Sequence, residues 1–286
     1  MCEPSQKQLW APTWDTRMPV VQINGIGIHY QESGDRNKAT IVFAHPLMWG
    51  PDTFAELLTE IAKDARLLTV DLHGHGLSGY REAMTLEEMA EDYYGLLQEL
   101  GLGKVAWFGY GIGGMIGMRV ALAHPNAFDS LVLMATSARP DPSTMKASTL
   151  HLWKMFRDGH RQDIADPAMK LLFAPSTYQS RPELIARCRN ELVSIPDGHG
   201  MFHAALAAFN RSDVSGELHR IRTRTLVLAG RQDPVVTPAQ VDFIAAQIPG
   251  AEFKIVDEAS QLAAIERPFE VVRLVRDFLG RTAALY

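Results

Sequence analysis

The sequence predicts an α/β fold in which a mostly parallel, doubly wound sheet is interrupted once by a helical insert. Three observations predict it. Short apolar runs alternate with stretches of helical period along most of the chain, the pattern of β-α-β units. Near the middle, the apolar run Lys104–Phe108 enters the glycine-rich turn Gly109-Tyr110-Gly111-Ile112-Gly113-Gly114. A helical stretch, Met115–His124, follows and stops at Pro125. From Arg139 to about Leu218 helical periodicity continues without a strand, with apolar positions such as Leu152, Met155, Phe156, Leu171, Leu184, Phe202 and Leu206.

The elements follow in order. Pro19–Ile23 and Ile26–Glu32 alternate in polarity around Asn24-Gly25, a strong hairpin signal. Thr40–Ala44 is nearly all apolar, as a strand buried on both faces must be. A helical stretch over Asp52–Ala62 and a strand over Arg66–Val70 come next. Thr85 with Glu88 three residues on is a capping-box pattern, opening a helix that runs to about Leu100. After the central turn and its helix comes a strand over Leu131–Ala135. The alternation resumes beyond the insert with strands at Thr225–Ala229 and Glu252–Val256 and helices near Ala239–Gln247 and Glu266–Leu279. The expected organisation is an N-terminal arm over residues 1–18, a core over 19–138 and 219–286, and a helical cap over 139–218.

At 286 residues and 47% hydrophobic content the chain can bury a sizeable core. A formal net charge of −5 with dispersed charges and no basic stripe argues against a nucleic-acid partner. No apolar stretch is long enough to span a bilayer, so no membrane partner is expected. Residues 1–19 lack an apolar signal core and hold Pro4, Pro12 and Pro19, which reads as a loose arm on a cytoplasmic protein. The two cysteines, Cys2 and Cys188, read as inert thiols rather than a pair. The oligomeric state stays open, a homodimer being one option.

Four motifs, each at the end of an expected strand, resemble those of the α/β-hydrolase superfamily, most closely its capped enol-lactonase, C–C-bond hydrolase and small esterase group. The central strand–turn–helix resembles the nucleophile elbow G-x-S-x-G. His45-Pro46 stands where the family has His-Gly, leading to the oxyanion-hole residue. Asp71-Leu72-His73-Gly74-His75-Gly76-Leu77-Ser78 resembles the family's D-x-R-G-x-G-x-S loop, with His73 in place of arginine. Gly230-Arg231-Gln232-Asp233-Pro234, with Pro238, resembles the loop of the triad acid. Glu266 and Pro268 fit the family frame G-H-x-x-x-x-E-x-P and put Gln261 on its histidine position.

That resemblance implies a triad reading Gly111, Asp233, Gln261 in place of Ser, Asp, His. Acyl transfer needs a hydroxyl to attack and an imidazole to take its proton. Glycine has no side chain, and an amide is no base near neutral pH. Gly111 nevertheless suits a strained turn of positive φ, and the N–H groups of Leu47 and Ile112 are implied to remain as an oxyanion hole. The expected ligand is a small, largely apolar carbonyl compound, with no cofactor and no metal.

The candidate ligand-facing residues are His45, Met48, Trp49, Tyr110, Ser137, Trp153, His199, Phe202 and His203. For His45 a structural role, holding the oxyanion loop, is the leading reading. His199 and His203 are four apart on a helical stretch, which suits two metal ligands, but no third ligand stands at a fitting spacing. Either histidine is a candidate substitute base. Three functions follow: a ligand-binding pseudoenzyme, an enzyme of non-serine chemistry (lyase, isomerase, cyclase or water-activating hydrolase), and an esterase or lactonase inactivated by mutation.

Overall fold

The computed structural model describes residues 19–283, the side chains of 143–147 and 281–283 excepted. The expected arm over residues 1–18 and Cys2 lie outside them. The hairpin forms as β1 (Val20–Ile23) and β2 (Ile26–Gly34), with Asn24 and Gly25 both at positive φ. Then come β3 (Thr40–Ala44), a 3-10 turn at Pro51–Phe54, α1 (Ala55–Ala62), β4 (Arg66–Val70), α2 (Leu86–Glu99), β5 (Val105–Tyr110), α3 (Ile112–Ala123) and β6 (Phe128–Met134). The capping box at α2 is present: Glu88 N–H donates to Thr85 Oγ1 (3.1 Å) and Thr85 N–H to Glu88 Oε2 (2.8 Å).

The insert consists of α4 (Ser143–Arg157), α5 (Arg161–Leu172), α6 (Pro175–Ser180), α7 (Pro182–Val193) and α8 (His199–Phe209). The chain closes with β7 (Arg224–Gly230), α9 (Pro238–Gln247), β8 (Glu252–Val256), α10 (Ala263–Glu266) and α11 (Pro268–Ala283). Several boundaries differ from the sequence expectation, the strand expected over Leu131–Ala135 running Phe128–Met134 among them, and two of them have a plain physical reason. The helix after the central turn starts at Ile112 rather than Met115, because glycines are tolerated where backbone packing is close. The last helix is split at Arg267, since Pro268 can begin a helix but cannot continue one.

All eight strands form one sheet in the order β1-β2-β4-β3-β5-β6-β7-β8. β1–β2 and β2–β4 are antiparallel; every other pair is parallel. Alternate strand residues feed two apolar layers. Val42, Trp107 and Leu131 pack with α2, α3 and α9, while Phe43, Phe108 and Val132 pack with α1, α11 and the insert. The carboxyl ends of β3, β5, β6, β7 and β8 therefore release their loops on one side, where the insert lies against them.

Candidate functional site

β5 ends in a turn that only glycine adopts cheaply: Gly111 has φ 54° and ψ −116°. Its N–H donates to Met134 O (2.9 Å), and its carbonyl accepts from Thr136 Oγ1 (2.6 Å). Two residues on, a Cβ at Gly113 would lie 2.1 Å from the Ala44 carbonyl, so α3 can approach β3 only without a side chain there. A Cβ at Gly111 would meet Pro46 Cβ at 3.2 Å. The pyrrolidine ring of Pro46 thus crowds the space a nucleophile's side chain would enter.

The loop after β3 is held by two histidines. Leu72 N–H donates to His45 Nε2 (3.0 Å), which leaves the ring proton on Nδ1 to bond Pro46 O (2.8 Å). Met48 N–H donates to His75 Nε2 (3.3 Å), and His75 Nδ1 bonds the His73 carbonyl (3.0 Å). Burial lowers both pKa values, that of His75 to about 3, so both rings stay neutral. Met48 is held at φ 76°, a strained conformation for a side-chain-bearing residue. The Leu47 and Ile112 N–H groups find no acceptor among the described residues.

Asp233 is buried after β7, its Oδ1 accepting the Val235 (2.8 Å) and Val236 (2.9 Å) N–H groups. Burial pushes its pKa up to about 7; the two N–H groups oppose that rise and Glu266 adds to it. Beside it lies Gln261. With the amide nitrogen turned to the carboxylate, Gln261 donates to both Asp233 oxygens, at 2.9 Å to Oδ1. Tyr110, fully buried, donates its hydroxyl to the Gln261 carbonyl and fixes that backbone.

These loops face α4, α5 and the end of α8 across a cavity of about 380 Å³. Its walls are mostly apolar, with Leu152, Trp153, Phe156, Ile164, Leu171 and Phe209 from the insert. The charged lining residues, among those described, are Asp141 and Arg211, and they are paired. Arg211 donates to both Asp141 oxygens (2.8 and 3.1 Å) and to the Arg139 and Ala208 carbonyls.

A family model described as the alpha/beta hydrolase fold matches residues 39–268. The chain belongs to the α/β-hydrolase fold family. It is similar to 3-oxoadipate enol-lactonase 2 of Acinetobacter baylyi, 24% identical over 253 residues that cover 85% of this chain and 89% of that one. The enol-lactonase of Burkholderia xenovorans LB400 superposes with a TM-score of 0.84 at 26% identity, covering 92% of this chain and 100% of the other. A thermophilic esterase of Thermogutta terrifontis superposes with a TM-score of 0.83 at 26% identity, covering 93% and 98%.

On this α/β-hydrolase frame the sequence-derived candidates separate into three groups. Leu47, Met48, Trp49, Gly111, Ile112, Ser137, Trp153 and Gln261 line the cavity. His45, Tyr110 and Asp233 lie behind its wall, supporting the loops. His199, Phe202 and His203 do not line it, and this corrects their expected ligand-facing role. Helix α8 turns the cavity side over to Ala208 and Phe209 at its end. His199 is exposed and bonds Asp197 (2.7 Å), whereas His203 stacks on Tyr80 with ring centroids 5.6 Å apart. No group of three metal-ligating side chains occurs among the described residues. Sequence reasoning missed the Arg211–Asp141 pair and the crowding by Pro46. The pair is 70 positions apart, and no motif links its members.

Proposed function

We propose that this α/β-hydrolase-fold chain binds a small, largely apolar carbonyl compound beneath a helical cap and does not carry out serine hydrolysis. One observation carries the reading: Gly111, at the turn that resembles a nucleophile elbow, brings no attacking group, while the Leu47 and Ile112 N–H groups beside it have no acceptor among the described residues. Such a pair suits a carbonyl oxygen, at a helix N-terminus where partial positive charge collects. The cavity size and apolar walls suit a small organic ligand.

Non-serine catalysis has less support. A base must reach the substrate. The rings of His45 and His75 are committed on both nitrogens, Asp233 is screened by Gln261, and Asp141 is held by Arg211. An inactivated hydrolase is the second reading, favoured by the intact turn; the crowding by Pro46 counts against the loss of the nucleophile and base alone.

Calorimetry with a small apolar ketone tests the proposal. Binding is expected in the native chain, and Ile112→Pro should weaken it about tenfold. Proline is accommodated at a first helical position and removes only one donor to the carbonyl. Absence of binding across a series of ketones of increasing chain length would overturn the reading.

A further inference from the structure

Beside the elbow, the Ala135 carbonyl and the outer end of the Gln261 amide meet at the cavity wall. Ala135 is fully buried and sits at φ 44°, a left-handed conformation that an alanine adopts only at a cost. That twist brings its carbonyl oxygen to 4.0 Å from the point a Cβ on Gly111 would occupy. The same oxygen lies 3.5 Å from the amide end of Gln261 that points away from Asp233. Once the Gln261 nitrogen serves the carboxylate, that end is the amide oxygen. No other N–H or O–H among the described residues donates to the Ala135 carbonyl. With Asp233 ionised these are two oxygens in van der Waals reach with no proton between them, each left without a partner; with Asp233 protonated the amide nitrogen turns to the Ala135 carbonyl instead.

We propose that the space beside these two oxygens is a donor site, filled by the NH₂ of a ligand carboxamide. Its two hydrogens go one to Ala135 O and one to Gln261 Oε1, while the amide carbonyl takes the Leu47 and Ile112 N–H groups. The inference rests on the carbonyl-binding reading above and narrows it. A primary amide carries a carbonyl oxygen and an NH₂ with two donor hydrogens on one carbon, which matches two donors on one side of the elbow and two acceptors on the other. A hydroxyl has one hydrogen and leaves one oxygen unpaired; an ester or a tertiary amide has none and leaves both. The amide is held intact, since nothing at Gly111 attacks it.

Hexanamide, methyl hexanoate and N,N-dimethylhexanamide share one apolar tail, and their affinities are compared by calorimetry at about pH 8, where Asp233 is ionised. The primary amide should bind about tenfold or more tightly than the other two, as expected when a polar site loses its partners. Gly111→Ser fills the gap with a side chain whose one hydroxyl hydrogen can serve only one of the oxygens, and Gln261→Leu removes one of them. Each variant, checked for folding by circular dichroism, should lose most of the preference. Equal affinities in the native chain would overturn the amide assignment and leave the carbonyl pocket standing. A preference that survives in both variants would overturn the placement at this gap. Failure of all three compounds to bind would overturn the inference together with the reading it rests on.

Discussion

Asp233 shows how an amide neighbour bears on the chemistry of a buried acid. It meets the Gln261 amide, which can answer either of its protonation states. As a carboxylate it accepts the Gln261 N–H, and as an acid it can donate to the Gln261 oxygen. Burial raises its pKa to about 7, with Glu266 and the neutral Tyr110 hydroxyl as the nearest titratable neighbours. A raised acid is protonated in the fold at pH values where the unfolded chain has already ionised. Its contribution to stability is therefore complete below about pH 4 and is lost as the pH rises through about 7. Asp233→Asn should flatten the stability profile across that window and be the more stable form at pH 8. The gain is at most about 4 kcal/mol at 1.36 kcal/mol per pH unit, less what the Gln261 N–H returns to the carboxylate. Urea denaturation at pH 5 and pH 8 measures it; a profile unchanged by the substitution would place the proton elsewhere. At this scale the sequence was legible in putting Gly111 and Gln261 at one cavity with Asp233 beside Gln261, because the spacing of the motifs fixes which strand-end loops carry them. It was silent on Pro46 and Ala135, whose importance lies in a contact distance and a backbone angle rather than in residue type.

Between elements, the attachment of the insert to the sheet depends on buried polar contacts. Glu266, at the end of α10, accepts from the Ala174 N–H (2.8 Å), Thr177 Oγ1 (2.5 Å) and the Ser260 N–H (2.7 Å). It thereby ties the start of α6 to the loop that carries Gln261. Arg181, between α6 and α7, adds a bond to the Ile265 carbonyl (3.0 Å). Removing the carboxylate leaves three buried donors unpaired, so Glu266→Ala should destabilise the fold by about 2–4 kcal/mol. It should also weaken ligand binding, because the loop holding Gln261 loses its anchor. Thermal unfolding with and without ligand separates the two effects; an unchanged midpoint would show that the insert is held by its apolar contacts alone. The helical nature of the insert was legible from its period, and the i, i+4 pair His199–His203 was read correctly as one helix. Which face of α8 met the cavity was not legible, since α8 is apolar nearly all round and its buried side is shared between the sheet loops and α4.

For the whole molecule, sheet order and insert position follow from rules that leave little choice. Parallel strands need crossovers, crossovers are right-handed, and the loops at the carboxyl ends collect on one side. Fold class, strand positions and the location of the insert were therefore legible in a single sequence. The cavity contents were not, because they depend on side chains far apart in the chain, such as Asp141 and Arg211. The central claim is that an α/β-hydrolase frame here holds a carbonyl ligand without attacking it. Turnover of p-nitrophenyl acetate, measured for the native chain beside the triple variant Pro46→Gly, Gly111→Ser, Gln261→His, tests that claim most directly. The account predicts that the native chain does little more than buffer, and that the triple variant exceeds it by about a hundredfold or more, since nucleophile, base and the room for them return together. A native chain that turns the ester over at about 1 s⁻¹ or faster, within the ordinary range of enzymes, would contradict it.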